Sequence, residues 1–216
     1  MMETTTNARW IRVANEFNRY IRLTYGVLSP GWHAEGEGAA CVVEAAAAWR
    51  GLGWGDDPDR LRIPNIRPLN DAFRDDRGRT ETMSRLYALL EDWGWWSKSR
   101  RMRFARGVVS RTVREVLPAA LRAAKLDSLA SRLGRDVSLA EAANMIPAEK
   151  DDVRLAVVSA MGAVDALKHR HYAGALDDAA FAARYAALAA PDGDAVARLA
   201  SEIWIAVATR YVWVES

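Results

Sequence analysis

Glu44 is the first side chain in this sequence that asks for a chemical explanation. It lies in AACVVEAAAAW, an apolar helical stretch from Ala39 to Trp49, with Ala, Val and Trp around it. A carboxylate aimed at protein instead of water is costly, so it must find hydrogen-bond donors or hold its proton more tightly. Cys41 precedes it by about one helical turn and shares its face, and His33 is the nearest imidazole along the chain. Asp56, Asp57, Asn70 and Asp71 follow in the turns after the helix. A buried Glu beside an ionised Asp can divide into an acid and a base, and a cysteine with a histidine base can act as a nucleophile. The catalytic candidates are therefore Glu44, Asp56, Asp71 and Cys41. Against them stands a structural reading: Glu44 accepts hydrogen bonds from backbone or arginine of the 51–67 loop, and Asp56 or Asp57 caps the turn before Pro58.

A second stretch suits binding. Trp93-Gly94-Trp95-Trp96 leads directly into the most basic part of the chain, with Lys98, Arg100, Arg101, Arg103, Arg106, Arg111 and Arg114 and no acid among them. At helical spacing Met102, Ala105, Val108, Val109, Val113 and Val116 share one side, and Arg100, Arg103, Arg111 and Arg114 gather opposite, with Gly107 between them. A stripe of arginines with Trp95 and Trp96 at its N-terminal end fits phosphate contacts plus base stacking. It also fits an acidic protein surface. The bland alternative is that the arginines cover the helix or pair with acids such as Asp75, Asp76, Glu81, Glu91 and Asp92.

The pattern Cys41-x-x-Glu44-Ala45, then Trp54-x-Asp56-x-Pro58, then Leu69-Asn70-Asp71 resembles a loosely defined set of uncharacterised proteins from actinobacteria and their phages. Those carry a Cys-x-x-Glu-Ala helix, a Trp-Ser-Asp-His-Pro turn and a Leu-Asn-Asp stretch before an alanine-rich helical remainder. Asp57 stands here where the others tend to have His, and no second Cys follows Pro58. The resemblance implies an all-helical fold and brings no known activity.

The elements that must position these residues are helices. Apolar residues Trp10, Val13, Ala14, Phe17 and Ile21 recur at helical spacing between about Ala8 and Thr24. The same holds for Leu86, Leu89, Leu90 and Trp93 in a helix opening near Thr80, and for Val153 to Leu167, Asp177 to Ala190, and Asp194 to Val212. Pro118 should close or kink the basic helix, and Ser138 should cap a short helix from Leu139 to Met145. Gly51, Gly53 and Gly55 break the chain without forming a GxGxxG phosphate loop or following a strand. Their connection should let Trp54 plug the core. His169 and His171, spaced i, i+2, point apart on a helix and make no metal pair.

These patterns give an all-α fold of eight or nine helices in one domain over 1–216, with a softer division near 94–97. The chain has 216 residues, a net charge of +2, nine tryptophans and one cysteine. So small a charge confines any nucleic-acid role to a local patch. A lone Cys41 excludes an internal disulfide and fits a reducing cytoplasm. The polar start MMETTTNARW lacks an apolar signal core, and no apolar run is long enough for a bilayer. The leading expectation is a non-enzymatic binding protein, an accessory factor of a phage or its actinobacterial host, contacting nucleic acid or an acidic protein through the basic helix. The alternative is a small hydrolase or ligand-binding enzyme on the 41–71 carboxylates. Neither implies a cofactor or a metal.

Overall fold

Helices dominate because apolar residues recur at helical spacing through most of the chain, and in the computed structural model they are what forms. It describes residues 3–212, with side chains from 9 to 211. In order come α1 (Glu3–Thr24), α2 (Val42–Trp49), α3 (Pro58–Leu61), α4 (Arg67–Ala72), α5 (Asp76–Leu90) and α6 (Lys98–Arg111). Then follow α7 (Leu117–Ala123), α8 (Asp127–Arg132), α9 (Leu139–Met145), α10 (Asp151–Lys168), α11 (Tyr172–Ala189) and α12 (Gly193–Val212). The fold is all-α. One isolated bridge between Leu133 and Val137 is the extent of β pairing among the described residues. The number of helices is roughly as expected; the additional ones are short pieces such as α3 and α4 inside the 51–75 connection, started by Pro58 and Pro68 in their first turns.

The alanine-rich α11 is central. It packs on α4, α6, α7, α10 and α12, and Ala175, Ala179, Ala180, Ala182, Ala183, Ala186 and Ala187 are all sealed from solvent. Small side chains on most of its surface let several helices approach it at once. In the N-terminal part, α1 and α5 lie together and enclose Phe17, whose ring centroid is 4.7 Å from Tyr87 and 5.2 Å from Trp49. Buried residues before and after 94–97 belong to one continuous core. Trp93, Trp96, Phe104 and Trp204 link ring to ring across that point.

Several boundaries differ from the spacing argument, each for a local reason. The first helix starts at Glu3, ahead of Ala8. Helix α5 begins at Asp76, not Thr80, because Asp75 accepts from the backbone N–H of Arg77 and Gly78. Pro118 neither ends nor breaks the basic helix. Thr112–Val116 widens into a π turn that joins α6 to α7 without a gap. A wider turn accommodates a proline that lacks its N–H and would otherwise crowd the preceding carbonyls. Helix α11 starts at Tyr172, well before Asp177. The reversal after α10 needs few residues, because Arg170 takes a left-handed conformation (φ +58°) and His171 N–H returns to the Ala166 carbonyl at 2.8 Å. Ser138 does cap α9, with Glu141 completing the box.

Candidate functional site

Glu44 is buried completely, and its carboxylate is fully engaged. The Cys41 backbone N–H donates to Oε2 at 2.7 Å, the His33 backbone N–H donates to Oε1 at 2.8 Å, and His33 Nδ1 lies 3.0 Å from Oε2. The first of these bonds is the capping interaction of α2, with Cys41 at the N-cap and Glu44 at N3. Trp54 Nε1 donates to the His33 carbonyl at 2.9 Å. Trp54 is half-buried and ties the 51–56 loop to the 29–40 loop; it does not plug the core. Cys41 is equally sealed, and burial pushes its thiol up to about 12, so almost none of it is thiolate at neutral pH. Cys41 has the environment of a structural cysteine, not of a nucleophile.

The other candidates of this segment are spoken for separately. Asp56 pairs with Arg67. Asp57 caps α3, accepting from the Asp59 backbone N–H at 2.9 Å. Asp71 Oδ1 accepts from the Gly31 backbone N–H at 2.9 Å and from Asn70 Nδ2 at 3.1 Å, while Oδ2 is 3.9 Å from Arg184. Glu44, Asp56 and Asp71 thus stitch three different loop contacts. Among the described residues, no group of three or more His, Cys, Asp or Glu is arranged to hold a metal ion.

The basic helix presents a different picture. Ser97 caps α6 by accepting from Arg100 N–H at 3.2 Å. Phe104, Ala105, Val108 and Val109 face the core. A Cβ at Gly107 would lie 2.7 Å from Val207 Cγ1, so glycine lets α6 and α12 meet closely. Of the expected stripe, Arg111 is held by Glu115 at 2.6 and 2.8 Å, and the pair depresses the Glu115 carboxyl below its ordinary range. Arg114 folds back onto Ser110. Arg100 is half-buried with its guanidinium carbon 4.1 Å from the Trp96 ring centroid. Trp96 is buried under it and against Phe104, so it offers no open face, whereas Trp95 is 82% exposed. Arg103 is exposed and leans toward the Tyr211 ring. The stripe that stays open is shifted by one position. Lys98, Ser99, Met102, Arg103 and Arg106 form one wall of a groove of about 480 Å³, and Arg170 forms the other.

No protein-family model, curated protein or solved structure matches the chain. Its geometry therefore carries the functional argument alone. Two further residues matter that the helical pattern overlooked. Arg170 joins the groove through the left-handed turn between α10 and α11, which no glycine announces. Arg79 is 1% exposed and donates to the carbonyls of Asn70 (3.0 Å), Leu28 (2.8 Å) and Phe73, and to Asp76. Its spacing with Met83, Leu86 and Leu90 places it on the inner face of α5, a signal the sequence does contain. No helix among the described residues is long and apolar enough to cross a membrane.

Proposed function

We propose that the chain is a nucleic-acid-binding protein, and that it grips a single strand through the groove between the first half of α6 and the α10–α11 turn. The observation that carries this reading is the groove's lining: Lys98, Arg103, Arg106 and Arg170 converge from two separate elements, with no carboxylate among the lining residues. Among the described residues, no acid forms an ion pair with Lys98, Arg106 or Arg170. These three cations, held close together, repel one another, and a phosphate backbone relieves that repulsion while releasing its own counterions. Trp95 stands three residues before Lys98 with most of its surface in water. It can stack on an unpaired base, as aromatic residues beside basic grooves do. Trp93 and Trp96, packed 5.0 Å apart beneath it, hold the turn that presents it.

A hydrolase built on the 41–71 carboxylates has less behind it, because Glu44 is closed off and Asp56, Asp57 and Asp71 each serve a loop contact. Anisotropy of labelled single-stranded and duplex oligonucleotides tests the binding reading. Expected is salt-sensitive binding that favours the single strand and weakens in Trp95→Ala for that strand alone. No binding at low salt overturns the reading.

A further inference from the structure

A second concavity owes nothing to the basic groove. It has a volume of about 670 Å³, within the usual range for small-molecule sites, and it lies where α3, the Trp93–Gly94 turn and the start of α11 meet. One wall is aromatic and fixed. Trp93 packs against Phe104 and Tyr172, and Arg101 locks the wall by donating to the carbonyls of Trp93 (3.2 Å) and Gly94 (2.6 Å) and to the Tyr172 hydroxyl (3.1 Å). Ile63 and Pro64 add an apolar rim.

The facing wall is acidic, and its acids come from distant parts of the chain. Asp57 and Asp59 arrive with α3, and Asp177 with α11. One oxygen of Asp57 is used as a cap. Among the described residues, the carboxylates of Asp59 and Asp177 accept no hydrogen bond and join no ion pair. Two arginines, Arg62 and Arg101, also line the cavity: Arg101 is spent on the aromatic wall, Arg67 nearby is paired with Asp56, and none of the three forms an ion pair with Asp59 or Asp177. Burial, with Asp178 and Asp59 as like-charged neighbours, raises Asp177 to about 6. His171 and Arg67 act in the opposite direction without cancelling this. The cavity thus combines a fixed aromatic wall, room for a small molecule and two carboxylates that form no ion pair among the described residues.

We propose that this cavity binds a small organic cation, a primary amine or guanidinium, seated between Asp59 and Asp177 with its carbon stem along Tyr172 and Trp93. A cation there neutralises two facing carboxylates and gains a hydrogen-bonded, charge-assisted contact to each. Its stem covers the exposed part of the Tyr172 ring and the edge of Trp93 that reaches the cavity. The site is independent of the nucleic-acid reading, since it shares no lining residue with the basic groove.

Isothermal titration calorimetry with agmatine at neutral pH and fixed ionic strength tests it. Agmatine carries a guanidinium and an ammonium on a four-carbon stem, and butanediol serves as the uncharged counterpart. Expected is saturable agmatine binding and none of butanediol. Affinity should fall by roughly tenfold or more in Asp59→Asn and in Asp177→Asn, the size of one charge-assisted contact. Asp136→Asn, which removes an exposed acid far along the chain, should change nothing. Circular dichroism confirms that each variant stays helical. Absence of saturable binding, or an equal loss in Asp136→Asn, overturns the proposal.

Discussion

The Glu44 segment and the first half of α6 look alike as sequence: charged side chains beside tryptophans and glycines. The fold treats them in opposite ways. Around Glu44 the carboxylate is drawn inward and given partners, so that His33, Cys41 and Trp54 hold two long loops together. Along α6 the helix is already anchored by Phe104, Ala105, Val108 and Val109, and Lys98 and Arg106 face outward without an ion-paired acid among the described residues. Loops need polar groups to hold them, because they lack a regular hydrogen-bond ladder. A helix satisfies its own backbone, so its surface charges can serve something else. Proximity of charge to tryptophan therefore predicts function poorly unless one knows which backbone carries it.

That contrast makes stability the readout for one region and affinity the readout for the other. The largest effect should come from the closed region. Arg79→Ala leaves the carbonyls of Leu28, Asn70 and Phe73 buried without a donor and should cost about 3–5 kcal/mol in chemical denaturation. Glu44→Ala should cost somewhat less, about 3 kcal/mol, and Glu44→Gln should recover part of it by keeping an acceptor. Neither should alter oligonucleotide affinity while the protein remains folded.

In the open region the order reverses. Arg106→Ala with Arg170→Ala should leave the denaturation midpoint nearly unchanged. It should nevertheless weaken single-strand binding by roughly 10- to 100-fold at low salt, as loss of two phosphate contacts implies. A clear fall in stability would mean that the groove is structural after all.

Asp177 sharpens the comparison because it is half-buried and yet joins no ion pair among the described residues. Its carboxyl sits at about 6 in the fold against an ordinary 3.8. Between those values the folded chain holds a proton that the unfolded chain has released, so stability falls as pH rises through that window and stays lower above it. Asp177→Asn should therefore stabilise the protein at neutral pH by about 1 kcal/mol, after discounting for solvent screening, and should have little effect near pH 4. Thermal melts at the two pH values check this. The smallest effect belongs to Arg111→Ala, which breaks an i, i+4 pair with Glu115 at the surface. It should cost no more than about 0.5 kcal/mol and leave single-strand affinity within about twofold.

The all-α architecture was legible in the sequence because 3.6-residue periodicity survives in α1, α6, α10 and α12 without knowledge of their partners. The core faces of Phe17 and Ile21, or of Ala105 and Val108, follow directly from it. Less legible were features that depend on tertiary contact. Arg170 needed a left-handed non-glycine turn, and the π turn before Pro118 needed a helix held on both sides by packing. Trp96 and Trp95 are adjacent and chemically identical, yet one is buried under Arg100 and the other is exposed. Only the position of Phe104 decides between them. The carboxylates of 41–71 were identified as unusual for a sound reason, the apolar setting of Glu44. What the spacing could not supply was the return of the His33 loop onto that carboxylate.

The most direct test of the account compares two double variants in one assay: Arg106→Ala/Arg170→Ala against Arg111→Ala/Arg114→Ala. Single-strand binding is followed by anisotropy across a salt series. The account predicts a log–log salt slope of about −2 to −3 for the unmodified protein, from roughly three or four phosphate contacts. It also predicts that the slope becomes shallower by about 1 or more when Arg106 and Arg170 are removed, and stays nearly unchanged when Arg111 and Arg114 are. Equal losses in both variants, or no salt-dependent binding at all, would contradict it.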